Sequence, residues 1–139
     1  MSGQNLDRLC AQYGYRICQA IAAEFKDKDG KPDKAKTENH ITKSLGVLQE
    51  DGVYAFFIYQ FSRGERERAG AARLREKAHG LLAEQFDIFK SQSDSLLAVR
   101  GDERTKGLAD DLDQLLLAKR LLEQALIYAR YHAKALEQK

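Results

Sequence analysis

VYAFFIYQF, running from Val53 to Phe61, is the stretch on which the fold turns. Its β-branched and aromatic residues suit a strand. A lone strand, however, has no partner for its backbone N–H and C=O groups, and no second run of this kind occurs in the chain. The segment is therefore read as a buried helix and the chain as all-α. Immediately upstream, a helix from about Thr37 to Glu50 carries Ile41, Leu45 and Leu48 on one face. Gly52 then stands where a left-handed C-terminal cap is needed.

Farther out, the helical period continues on both sides. Leu6, Leu9, Cys10, Tyr13, Ile17, Ala20 and Ile21 recur on one face of an opening helix from an Asn5 cap to about Phe25. Residues 26–36, KDKDGKPDKAK, interrupt the pattern with Gly30, Pro32 and alternating charges, as a solvated connector would. Downstream, Gly64 to Ser91 restarts the period with Ala71, Leu74, Ala78, Leu81, Ile88 and Phe89. Arg66, Arg68, Arg73, Arg75 and Lys77 lie largely off that face. A polar loop over 91–107 holds one short turn at Leu96 to Val99, and a last helix runs from about Leu108 to Leu136. Proline occurs once and tryptophan not at all. The sequence thus predicts one domain over 1–139, a compact bundle of five to six helices.

The balance of 23 basic and 21 acidic residues gives a net charge of +2, far from that of a chain that coats nucleic acid unaided. Any such contact has to come from local clustering. No run approaches the ~20 apolar residues of a membrane span, and Met-Ser-Gly-Gln-Asn lacks the basic and apolar regions of a signal peptide. The expectation is a soluble, cytoplasmic protein without a membrane partner. Cys10 and Cys18, on one helix and about 12 Å apart along its axis, lie beyond disulfide reach and are read as reduced, apolar-packing thiols.

The last helix carries two apolar stripes. Leu112, Leu115, Leu122, Leu126, Ala129, Ala133 and Leu136 form the stripe expected to face the core. Leu117, Leu121 and Tyr128 form a second, well over 100° from the first by the helical period. Two readings follow from it: a helix central to the bundle and covered on both sides, or a surface for self-association or docking. Between the stripes lie Lys119, Arg120, Glu123, Arg130 and Lys134.

Chemistry is sparse. His40, His79 and His132 are isolated from any cysteine, and no metal-ligand spacing, P-loop or nucleophile elbow occurs, so no metal or cofactor is expected. One spacing resembles a catalytic signature: Arg73-Leu-Arg-Glu-Lys-Ala-His79 is similar to the arginine and histidine pair of HEPN-type ribonucleases, also all-α. There the histidine would act as general acid or base and the arginine would stabilise phosphate charge. In a helix this rich in arginine the pattern also arises by chance, and the chain is read as having no catalytic site.

Three segments together resemble the small-subunit family of type III-B (Cmr) CRISPR effector complexes: DRLCAQYGYRICQAIA at the start, KSLGVLQEDGVYAFFIYQFS over Lys43 to Ser62, and LLLAKRLLEQALIYARYHAKALE over Leu115 to Glu137. The likeness lies in their order and spacing. It implies a five- or six-helix bundle whose copies stack as an inner filament beside the backbone subunits, along the guide RNA and its paired target RNA, in antiviral defence. Cleavage in that family belongs to neighbouring subunits. By the same resemblance, the RNA-facing positions are Arg16, Lys43, Lys119, Arg120, Arg130 and Lys134; the second stripe, Leu117, Leu121 and Tyr128, is read as the subunit interface. The alternatives are the HEPN-like ribonuclease using Arg73 and His79, and a helical adaptor that binds only protein through the second stripe.

Overall fold

The computed structural model describes residues 5–136. The opening Met1 to Gln4, and Glu137 at the end of the third resembling segment, lie outside the described residues. Helix α1 (Leu6–Glu24) starts at Asn5, whose side-chain oxygen accepts from the Arg8 N–H at 3.0 Å. Such a cap satisfies one of the orphan donors of the first turn and contributes about 1 kcal/mol. α2 (Lys34–Phe61) is capped in the same way by Asp33, so the last three residues of the expected connector are helical. The remainder of that connector is a tight turn. Lys26 and Pro32 bridge across it, and the Asp27 carboxylate accepts from the N–H groups of Asp29 and Lys31.

Gly52 breaks α2 with φ 95° and ψ −174°. This is a mirror-image extended conformation open essentially to glycine alone, not the left-handed helical cap expected. The chain reverses there. Gln60 on the second arm (53–61) touches both His40 and Ser44 on the first (34–51), so the second arm doubles back along the first. VYAFFIYQF is thus a helix, with Val53, Phe56 and Phe57 buried.

The rest of the bundle comprises α3 (Arg68–Gln85), α4 (Asp87–Ser91), α5 (Ser95–Arg100), a 3-10 turn (Leu108–Asp110) and α6 (Leu112–Lys134). The expected Gly64 to Ser91 helix is therefore two helices, parted at the extended Phe86. Phe86, extended at φ −126° and ψ 118°, and Phe89 are both buried on either side of the bend. The short turn expected at Leu96 to Val99 is α5. The last helix begins four residues later than Leu108, after the Asp111 side chain accepts from the Gln114 N–H.

α1 and α6 share the broadest interface, α6 also packs along the first arm of α2, and α3 closes the bundle against α1. α1 and α6 run in the same direction, with Cys10 beside Leu121 and Gly14 beside Ala125. They come close because the contact is made of small residues. A Cβ on Gly14 would lie 2.6 Å from the Tyr128 Cβ and 2.9 Å from the Ala125 carbonyl oxygen. Ile17, Ile21, Ile41, Leu48, Phe56, Phe57, Leu74 and Leu122 fill the centre, each contributing roughly 1.5–3 kcal/mol by leaving water. Among the described residues the architecture is an all-α bundle of six helices with no strand, and no helix is long and apolar enough to cross a membrane.

Candidate functional site

The two stripes of α6 resolve into two packing edges. Leu122, Leu126, Ala129 and Ala133 are fully buried, as the core stripe requires. Leu112, assigned to that stripe, is 67% exposed, because α6 has only just begun there and no element lies beneath it. The second stripe packs largely on α1. Leu121 is buried, and its carbonyl accepts from the Cys10 thiol at 3.5 Å. Tyr128 is half-buried and donates to the Asp7 carboxylate, a bond that with burial raises its phenolic pKa. Leu117 alone of the three reaches the surface appreciably. Leu121 and Tyr128 are therefore corrected from an outer subunit surface to intrachain contacts. The exposed apolar residues of α6 are instead Leu112, Leu116, Leu117 and Tyr131. Of these, Leu116 and Tyr131 fall on the outward side between the stripes, among the charged residues.

That outward side is nevertheless basic. Arg120 and Lys134 are exposed and Lys119 is half-buried. The Lys119 ammonium donates to the Gln49 carbonyl at 3.1 Å, and that of Lys134 sits 3.7 Å from the Glu38 carboxylate. Both partners belong to the first arm of α2, which runs antiparallel to α6. Pairs this exposed are worth under about 1 kcal/mol and exchange readily for a phosphate. Arg130 shares this edge but is half-buried, and its Nε has no partner among the described residues.

Arg16 and Lys43 do not join this face. The Arg16 guanidinium lies 4.9 Å from the centre of the Tyr13 ring, and the Tyr13 hydroxyl in turn donates to Glu84 on α3. Lys43 borders the cleft between the two arms of α2, beside Gly46, Glu50 and Tyr59. The six positions thus divide among three parts of the surface: four on α6, one on α1 and one on α2.

Arg73 and His79 are both committed to local structure. Arg73 bonds to Glu24 at 3.2 Å and to Glu76 at 3.2 Å, and these carboxylates push its guanidinium pKa still higher. His79 uses both ring nitrogens. Its Nε2 lies 2.9 Å from the Phe89 carbonyl, which only accepts, so Nε2 carries the proton. Nδ1 then accepts from the Ser95 hydroxyl at 2.7 Å. In this arrangement neither nitrogen is free to exchange a proton with a substrate.

The other polar cluster of the interior joins the arms of α2. His40 Nε2 meets Gln60 Oε1 at 3.0 Å, and the Gln60 amide donates to Ser44 Oγ at 2.8 Å. All three are buried. Such a network fixes the register of the reversal, because slipping by one turn would leave several polar groups unpaired. Cys10 and Cys18 are buried free thiols, and burial pushes each to a pKa of about 11. No protein family, no curated protein and no solved structure matches this chain.

Proposed function

We propose that the chain is a non-catalytic, RNA-binding small subunit of a type III-B CRISPR effector complex. In this reading its copies stack beside the backbone subunits and stabilise the duplex of guide RNA and target RNA. The observation that carries the reading is the outward face of α6, where Lys119, Arg120 and Lys134 stand on one rigid helix with weak partners or none. A duplex of any sequence is held through phosphates and 2′-hydroxyls, and each copy need add only a few charges when many copies act together. A net charge of +2 suits such a subunit.

Two further features favour this reading over its rivals. The occupation of Arg73 and His79 by Glu24, Glu76, Ser95 and Phe89 counts against a HEPN-like ribonuclease. The exposed Leu112 and Leu116, at 67% and 49%, offer a neighbouring copy an apolar contact at the start of the same helix. The test is to replace Lys119, Arg120 and Lys134 together by glutamate and measure target-RNA affinity of the assembled complex across salt concentrations. The affinity should fall at least roughly tenfold, and the dependence on salt should flatten by about 0.7–0.9 per lost phosphate contact. An unchanged affinity overturns the RNA-facing role of α6.

A further inference from the structure

A second surface, on other elements, is built to take an anion. A groove of about 630 Å³ lies between α3 and the corner formed by α4 and α5, a size in the range of small-ligand sites. Arg75, Lys90 and Ser93 line it. Arg75 has no carboxylate partner among the described residues; its guanidinium lies 4.0 Å from the centre of the Phe61 ring, which orients it. The Lys90 side chain is 60% exposed and its ammonium only loosely paired, 3.7 Å from the carboxylate of the fully exposed Asp87 side chain. The Ser93 hydroxyl makes no hydrogen bond among the described residues. One carboxylate lines the groove, Glu76, and Arg73 neutralises it at 3.2 and 3.3 Å.

The groove is also held open by design of its walls. His79 bonds α3 to the Phe89 carbonyl of α4 and to the Ser95 hydroxyl of α5, so the three elements keep their spacing without a ligand. Beside Arg75 lies an apolar ledge, with Phe61 at 50% exposure and Ile58, one turn earlier, at 44%. An aromatic ring with one face under Arg75 and half of its surface still exposed, next to a loosely paired lysine, is the combination that holds a base by stacking and its phosphate by charge.

We propose that this groove binds a nucleotide unit, the phosphate at Arg75, Lys90 and Ser93 and the base against Phe61. The site uses no residue of the α6 face and stands or falls separately from the effector reading. A nucleotide unit can come from a free mononucleotide or from a single-stranded RNA, and the two are distinguished by titrating the intact chain with adenosine 5′-monophosphate, a short oligouridylate and inorganic phosphate.

The expected result is saturable binding of at least one nucleotide ligand, tighter than inorganic phosphate. The tighter of the two identifies the source. Arg75→Gln and Lys90→Ala should each weaken it roughly tenfold, since a charge-assisted contact and its salt-dependent attraction are lost. Phe61→Leu should weaken the nucleotide roughly fivefold or more, and inorganic phosphate by a smaller factor through the loss of the ring that orients Arg75. Lys90 lies well out in solvent, so its variant reports on binding even if Arg75→Gln disturbs folding. Absence of binding, binding indifferent to both Arg75→Gln and Lys90→Ala, or inorganic phosphate binding as tightly as the nucleotide would each overturn the proposal.

Discussion

Two glycines hold this bundle together for opposite reasons. Gly14, in the middle of α1, has ordinary helical torsions and no room: a Cβ there would meet the Tyr128 Cβ at 2.6 Å and the backbone of Ala125 and Ala129 at 2.9 and 3.1 Å. Gly52, between the arms of α2, has ample room, with nothing within 4 Å of a Cβ, but a φ of 95° that side chains resist. One position is fixed by packing between helices far apart in sequence, the other by the local backbone. A sequence shows both as the same letter; only the neighbours tell which physics is at work.

The comparison can be broken first at Gly14. Gly14→Val inserts bulk against backbone atoms that cannot rotate away, and should destabilise the chain by about 3 kcal/mol, at the upper end of overpacking costs. Chemical denaturation measures this directly; a loss below about 1 kcal/mol would mean that α1 and α6 slide apart freely. Next, Gly52→Ala should cost about 2 kcal/mol through backbone strain. Gly52→Asn should be no better, because asparagine eases the left-handed helical region and not ψ near −174°. Full rescue by asparagine would contradict the torsional account.

The smallest effect is one of pH and belongs to the same reversal. His40 is 4% exposed, and burial holds its imidazole below the ordinary value of about 6.5. Lys36 and Arg63 push the same way, while the Gln60 bond and Glu67 oppose them. As pH falls, the unfolded chain takes up the proton first. The stabilising contribution is therefore complete above about 6.5 and is lost as pH drops from there to the lower value in the folded state. Denaturant midpoints measured between pH 7.5 and 5 should fall more steeply for the native chain than for His40→Leu. Parallel curves would remove His40 as the cause.

What the sequence made legible follows from the range of each signal. Caps and breaks act within a few residues, so the Asn5 cap and the break at Gly52 were readable, while the helical state of Val53 to Phe61 followed from the lack of any partner strand and against its local propensity. The bend at Phe86 was not, because no glycine or proline marks it and Phe86 and Phe89, three apart, fit one face of an unbroken helix equally well. Periodicity placed Lys119, Arg120 and Lys134 on one side of α6. It could not say that Leu121 and Tyr128 meet α1, a contact made across most of the chain. Arg16 and Lys43 were grouped with the α6 residues by the resemblance alone, and they stand on α1 and α2, away from that face. The groove of Arg75, Lys90 and Ser93 was invisible, since it depends on how two short helices turn back toward α3.

The pairing of α1 with α6 also sets when the bundle can exist. Cys10 and Leu121 are 111 positions apart, and Asp7 and Tyr128 are 121. Helical bundles usually fold fast because their contacts are local, but the broadest interface here is among the least local in the chain. Closing it brings together residues separated by more than 100 others, an entropic cost that the α1–α3 and α2 contacts formed earlier can only partly reduce. On a ribosome adding about 5–20 residues per second, the face of α1 around Cys10 and Gly14 waits on the order of ten seconds for its partner. Assembly of the bundle is consequently tied to the emergence of α6, and during that interval a chaperone or a neighbouring chain meets a half-covered first helix.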